Sequence, residues 1–448
     1  MQSLTLNTSR ILNVVKWIND EHIIIGGGGG ESKTGVPNGI TFLEFDRKNF
    51  KLKEINFINT ESEVIRDLIV LKDKLICAIA NRLVVYKFET IKKLEKKEEK
   101  KEKEEEKEEE KEKEEKEEEQ KNKTEKEKEK EKEKEKEKEK EKEKEKEKEK
   151  EKETEKETET ETEKEKKLEA KEIEKTIYEL KTIHSKDYIN TKNEEKIYQE
   201  SVSYFEQLKL ITSIGEENCI GFYNSSGYGE KKILDMGEDN QIFNLDYSKV
   251  LGAYVLCCPK KIIFVDQKTY KTIHEISAPK TDRNVRYAYR NVKILNDNSL
   301  LLVTLNEFKR KQGTQKGYLV QYRISKNEEK INSKLQKQIL IFREPLTDLT
   351  IDSKNNQMAI GGARGSLAVY KIKSLSKLFK NASHKLCVTG LSFDPLSEYI
   401  ASCAGDSSLV VTKIKKKIDF EDYANWIFIS FVVLIIAIIL RTYFNSLK

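Results

Sequence analysis

Short runs of alternating apolar and polar positions, broken by turn residues, organise most of this chain and predict strands. The clearest run is Thr389–Ile414, TGLSFDPLSEYIASCAGDSSLVVTKI, read as strand, turn, strand, polar turn, strand. Leu346–Ile372 repeats that grammar as LTDLTIDSKNNQMAIGGARGSLAVYKI. In both, a small-residue strand end (AGD, GGARG) leads into a turn and a further alternating run. Looser copies stand at Val64–Phe88, Val202–Tyr223, Ile242–Ile276 and Val292–Ile324, and Val14–Phe45 adds another with HIII and ITFLEF as strands. About seven β-units at roughly 40-residue spacing predict an all-β, seven-bladed WD-type β-propeller.

The repeats are degenerate. Thr412 stands at the usual Trp position of the last unit and Tyr370 in the unit before it. His384 and Asp406 fall where such blades keep a structural His and Asp. Pinning turns by hydrogen bonds is the expected job of both, ahead of any catalytic one.

Two segments break the strand pattern. From 92 to 175 the chain is almost wholly Lys and Glu, interrupting the second unit between Val84–Phe88 and the strand-like Thr176–Ile183. Loop-closure entropy rises slowly with length, so a surface hairpin tolerates such an insertion. Around Glu125–Lys152 the strict alternation sets opposite charges at i,i+3 and like charges at i,i+4, so the helical terms oppose one another. With so few apolar residues, a solvated, disordered or fluctuating tether is expected.

The second break is Trp426–Leu440, WIFISFVVLIIAIIL, apolar on every face. At 1.5 Å per residue it covers roughly 22 Å, and continuation to Phe444 with Arg441 snorkelling reaches about 28 Å. One C-terminal transmembrane helix, suited to the thin endoplasmic-reticulum bilayer, is therefore expected. Trp426 and Tyr443 sit at interfacial positions, and Lys413 with Lys415–Lys417 precedes the run. The positive-inside rule then places the N-terminal part in the cytosol. Met1–Arg10 lacks an apolar core, so no cleaved signal peptide is expected. The sequons at Asn7, Asn224 and Asn381 would stay unmodified. The implied organisation is 1–91 and 176–418 as propeller, 92–175 as insertion, 419–425 as linker, 426–444 as anchor and 445–448 as lumenal tail.

Charge and cysteine narrow the function classes. The 85 Lys and Arg nearly cancel 80 Asp and Glu, giving a net charge of +5 and no broad basic field for nucleic acid. The six cysteines show no CxxC spacing and lie mostly in strand-like runs, which suits buried, reduced thiols. Four scattered histidines make no metal-ligand cluster with them.

Gly26–Gly39, GGGGGESKTGVPNG, is the segment a generic scaffold does not require. Five glycines follow the strand His22–Ile25, and Pro37 with Asn38–Gly39 supplies turn geometry before the return strand. A Walker A loop needs Gly before Lys-Ser/Thr and a following helix. Here Ser32 precedes Lys33–Thr34, and Gly35 and Pro37 disfavour a helix. The dinucleotide fingerprint fails at Glu31, and the next element is a strand where that motif needs a helix. A long hairpin without function, entry into a partner's cleft, or a cation held by backbone carbonyls is left.

GGGGGESKTGVPNGITFLEF resembles the first-blade loop of the endoplasmic-reticulum exchange factors that start COPII coat assembly. Their animal members are the prolactin regulatory element-binding proteins and their fungal members the secretion-twelve proteins. The charged insertion in the second blade, RYAYRNVKIL in a later one, HKLCVTGLSF opening the last and the C-terminal anchor extend the likeness. The divergent blades and the very long insertion depart from the family pattern.

The resemblance implies a guanine-nucleotide exchange factor that binds a Sar-type small GTPase at the endoplasmic-reticulum membrane and speeds GDP release. It would act in ER-to-Golgi vesicle transport, with no covalent chemistry or required cofactor of its own. Contact is expected from Gly26, Gly27, Gly28, Gly29, Gly30, Glu31, Ser32, Lys33, Thr34, Gly35, Val36, Pro37 and Asn38, with Lys33 competing electrostatically and Asn38 hydrogen-bonding to the GTPase. The rivals are a tail-anchored scaffold without exchange activity and a propeller hydrolase or transferase. The hydrolase would need clustered acidic, His or Ser residues at the channel mouth. DNA binding, suggested by the name of the animal relatives, fits poorly with the anchor and the balanced charge.

Overall fold

The computed structural model describes residues 2–30, 35–95, 173–187, 198–215, 218–237, 239–295, 299–309, 313–327, 330–354, 356–414 and 429–436. Apart from 429–436, which is helical, regular structure is almost all antiparallel strand. The strands form seven four-stranded sheets.

Blade 1 comprises β2 (Leu12–Trp17), β3 (His22–Gly27), β4 (Gly39–Asp46) and β5 (Lys51–Asn59). Blade 2 comprises β6 (Ile65–Leu71), β7 (Lys74–Ile79), β8 (Arg82–Glu95) and β9 (Ile173–Asp187). Blade 3 has β10 (Gln199–Phe205), β11 (Leu210–Gly215), β12 (Cys219–Asn224) and β13 (Glu230–Asp235). Blade 4 has β14 (Asn244–Ser248), β15 (Ala253–Cys257), β16 (Lys261–Asp266) and β17 (Thr272–Ser277). Blade 5 has β18 (Val285–Leu295), β19 (Leu300–Lys309), β20 (Gln315–Asn327) and β21 (Lys330–Phe342). Blade 6 has β22 (Leu346–Ile351), β23 (Gln357–Gly362), β24 (Ser366–Lys371) and β25 (Lys377–Ala382).

Blade 7 joins the two ends of the chain. Its order is β26 (Val388–Phe393), β27 (Tyr399–Ala404), β28 (Ser408–Lys413) and then β1 (Ser3–Asn7). Register runs from Ser3 opposite Thr412 to Asn7 opposite Ser408. The ring is therefore complete at Lys413. Arg47 reinforces the blade 1–blade 7 seam, its Nη2 lying 2.5 Å from Asp394 Oδ2 and its guanidinium over the Tyr399 ring. Trp17 Nε1 donates to Ser392 O at 3.1 Å across the same seam.

The cores lie between blades, because each middle strand buries both faces. Ile23, Ile25, Leu43 and Phe45 of blade 1 pack with Tyr399, Ala401, Cys403 and Val411 of blade 7. On the other face Ile24, Ile40 and Phe42 pack with Leu68, Leu75 and Cys77 of blade 2. Burial of such side chains contributes about 1.5–3 kcal/mol each. Outer strands are the exposed ones, as in β13, where five of six residues are exposed.

The two ends of the ring differ in their connections. First-to-second and third-to-fourth strand turns share one end; second-to-third turns and blade-to-blade links share the other. The boundary expected at 91/92 falls inside β8, which continues to Glu95. Residues 90–177, which include the ends of β8 and β9, cluster as a second compact unit. Of this unit, 96–172, the bulk of the Lys/Glu insertion, lie outside the described residues. So do 415–428 and 437–448, which leaves 429–436 as the described part of the apolar run. No described helix is long and apolar enough to cross a membrane.

Candidate functional site

The glycine-rich segment is the second-to-third connection of blade 1, running from Gly28 to Asn38. The corresponding connection is only Ala363–Gly365 in blade 6 and Gly405–Ser407 in blade 7. Its two ends are tied to neighbouring links. Gly28 N donates to Ile11 O at 2.9 Å, in the blade 7–blade 1 link. Thr60 N, in the blade 1–blade 2 link, donates to Asn38 O at 3.0 Å.

Asn38 is the clasp. Its Oδ1 accepts from Gly30 N at 3.0 Å, and its Nδ2 donates to Gly30 O and to Glu61 O, both at 3.0 Å. The residue is 2 % exposed. Two glycines are required by this geometry. Gly28 has φ +149°, and a Cβ there would sit 2.1 Å from Asn38 Oδ1; Gly30 has φ +83° with open space around it. Gly35 and Pro37 are exposed and Val36 half-buried, while Glu31, Ser32, Lys33 and Thr34 lie outside the described residues.

Asn38, expected to hydrogen-bond a partner, thus faces inward and positions the loop from below. Turn propensity marks this residue in the sequence; the carbonyls it bonds lie eight and twenty-three residues away and leave no local signal.

Arg10 was not singled out by pattern. It is buried at the start of blade 1, its Nη2 donating to Thr41 Oγ1 and its guanidinium 4.0 Å from the Phe57 ring centroid. Burial lowers its pKa, with Glu54 opposing. Like His384 in blade 7, it lies in the link that precedes an inner strand.

His384 behaves as expected of a turn pin. Its Nδ1 lies 2.6 Å from Ser408 Oγ and its Nε2 2.8 Å from Ser402 Oγ. Ser408 Oγ donates to Asp406 Oδ1 at 2.5 Å, and Lys385 N donates to Asp406 Oδ2 at 2.5 Å. Ser408 has one hydroxyl proton, so its oxygen accepts from Nδ1–H and Nε2 is left to accept from Ser402. Burial pushes the His384 pKa down, with Asp406 opposing. Burial would raise that of Asp406, but the Ser408 hydroxyl and Lys385 amide hold it below the usual carboxylate range. At the lost Trp position, Thr412 Oγ1 instead meets Ser3 Oγ at 3.1 Å.

The inner strands enclose a channel of about 600 Å³ lined by charged residues including Lys16, Asp67, Asp246, Lys293 and Asp348. Two of its carboxylates are spent on the fold. Asp67 Oδ2 accepts from Ser201 Oγ at 2.9 Å and Val202 N at 3.0 Å, and Asp246 Oδ2 from Ile294 N at 2.8 Å, stitching adjacent blades. Burial raises the pKa of Asp348 against Lys16 and Lys293. No histidine lines the channel. Among the described residues, no group of three or more His, Cys, Asp or Glu could hold a metal ion.

No protein-family model matches the sequence, and no curated protein matches it. Solved structures do. The Myceliophteria thermophila Cps50 (Swd1) β-propeller domain superposes with a TM-score of 0.52 at 8 % identity, covering 92 % of this chain and 100 % of that one. The chain is a seven-bladed WD-type β-propeller. A chain of the mitotic checkpoint complex gives a TM-score of 0.51 at 8 % identity, over 92 % of this propeller chain and 91 % of that one. At such identity the likeness speaks for the WD-type fold alone.

Proposed function

We propose that this propeller is a guanine-nucleotide exchange factor for a Sar-type small GTPase. In this reading it is held at the endoplasmic-reticulum membrane by Trp426–Leu440 and starts COPII coat assembly for ER-to-Golgi transport. The observation that carries the reading is the clasped loop of blade 1. Its sequence is the sharp part of the family resemblance, and its ends are fastened to both flanking blade links by Ile11, Asn38 and Thr60.

A fastened base suits a loop that must press on a partner, since ordering done on folding is not charged again on binding. Gly26–Asn38 would engage the GTPase switch region, with Lys33 competing for phosphate or Mg²⁺ contacts. The chain then needs no acid or base of its own: preference for the nucleotide-free GTPase weakens GDP binding by the same factor. The cation reading is a proposal of the same rank. Gly30 O already accepts from Asn38, so oxygen ligands would come from other carbonyls of the loop. Anchoring would confine GTP loading to the membrane that receives the GTPase's amphipathic helix.

Affinity for nucleotide-free against GDP-bound GTPase tests the reading. Exchange activity requires a clear preference for the nucleotide-free form, reduced in Lys33→Ala. Equal affinities would favour the membrane-bound scaffold.

A further inference from the structure

We infer that the end of the propeller opposite the glycine-rich loop is a membrane-facing surface that binds anionic lipid headgroups. Lipid as the occupant rests on the C-terminal anchor reading; the placement of the surface follows from topology. Gly28–Asn38 is a second-to-third strand connection and so lies at one end of the ring. The chain leaves β28, the third strand of blade 7, at the other. There Lys413 N donates to Gln2 O at 2.9 Å, and Ile414 N to Glu398 O at 2.8 Å, Glu398 belonging to the first turn of blade 7. Residues 415–428 then lead to the helical residues 429–436, whose Ile429, Phe431, Val433 and Leu434 are exposed. Even fully extended, that connection spans at most roughly 50 Å, which holds the exit end near whatever buries the apolar helix.

Lysines are spread over the exit end. Lys48, Lys72, Lys209, Lys268, Lys354 and Lys373 stand exposed in its turns, drawn from five blades. Four acidic residues at this end cap its turns. Asp46 accepts from Lys48 N and Asn49 N, Asp266 from Lys268 N and Thr269 N, Asp352 from Asn356 N and Gln357 N, and Asp394 from Glu398 N and Tyr399 N. Among the described residues, exposed acids also stand at this end: Asp20, Glu21, Asp73 and Glu206 in its turns, and Glu89 and Glu230 on adjoining strands. Two apolar side chains also stand at its turn tips, Val250 at 52 % and Leu396 at 47 % exposure. Lysines around isolated apolar tips match a bilayer interface, where headgroup charge and shallow insertion act together.

The test is co-sedimentation of residues 1–414, which contain every strand of the ring, with phosphatidylcholine vesicles with and without phosphatidylserine. Binding is expected only to the anionic vesicles and should fall as salt rises. Lys48→Glu/Lys268→Glu/Lys354→Glu should weaken it about a hundredfold or more. Arg364→Glu/Lys385→Glu, at the loop end, should leave it unchanged. Val250→Asp/Leu396→Asp gives a second reading should the triple variant misfold, and should also weaken binding. Absence of binding by the folded wild type, equal binding to both vesicles, or equal loss in the two charge variants would overturn the inference. Alkaline extraction of the full chain from membranes reads the anchor separately, and GDP release from the GTPase reads exchange without vesicles.

Discussion

Asn38 and Gly30 face each other through two hydrogen bonds, Oδ1 accepting from Gly30 N and Nδ2 donating to Gly30 O, each 3.0 Å long. One buried side chain thereby closes the glycine-rich connection on itself, and its third bond, to Glu61 O, fixes the closed loop to the next blade.

Asn38→Ala should therefore act on the loop and on stability together. It leaves Gly30 N, Gly30 O and Glu61 O without these partners, at a cost of about 1–3 kcal/mol. Asn38→Asp keeps the acceptor but loses both donated bonds, and should recover only part of that loss. Urea unfolding of the three proteins measures the order.

The glycines of the loop should not be equivalent. Gly28→Ala forces a Cβ to within 2.1 Å of Asn38 Oδ1 and 2.5 Å of Asn38 Cα, so backbone must shift. A cost of about 2–4 kcal/mol is expected. Gly30→Ala meets no atom within 4 Å and carries only the strain of φ +83°. About 1 kcal/mol should suffice there. Thermal melts of both variants decide the matter.

Closure of the ring should depend on Arg47. Its partner Asp394 has a side chain with 0 % exposure, and Arg47 also lies over Tyr399. Arg47→Ala leaves that carboxylate facing the seam with only its turn amides, and should cost about 2–3 kcal/mol. Chemical denaturation with and without high salt measures it, and the loss should persist in salt because the pair is largely screened from solvent.

Acid should loosen blade 7. His384 is held neutral by burial, its folded pKa below the ordinary 6.5. The unfolded chain then binds more protons as pH falls through about 6.5, so stability drops from there and levels off below the folded pKa. His22, His184 and His274 are also lowered by burial and act in the same direction. His384→Gln should flatten part of the dependence between neutral and mildly acidic pH, measured by melting temperature across that range.

The blades were legible because each middle strand is buried on both faces and written in Ile, Val, Leu and Phe. All seven segments read from the pattern fall on the observed sheets. Outer strands were harder. β13 exposes five of its six residues and β5 fully buries only one of its nine, so Lys51–Asn59 and Glu230–Asp235 carry little alternation. The closing strand could not be read, since Ser3–Asn7 pairs with residues some four hundred positions away. The same limit hid the inward role of Asn38 and the pairing of Arg10 with Thr41, both set by tertiary contact. His384 and Asp406 were recoverable because the repeat grammar fixes their positions, although their serine partners were not.

The most direct measurement is GDP release from a Sar-type GTPase in the presence of residues 1–414, set against the same fragment with Gly26–Asn38 replaced by a short turn. Strong acceleration by the first and none by the second, with both folded by circular dichroism, is the expected result. Release unchanged by the folded wild-type fragment, or equally accelerated by the loop-replaced one, would contradict the exchange role assigned to this loop.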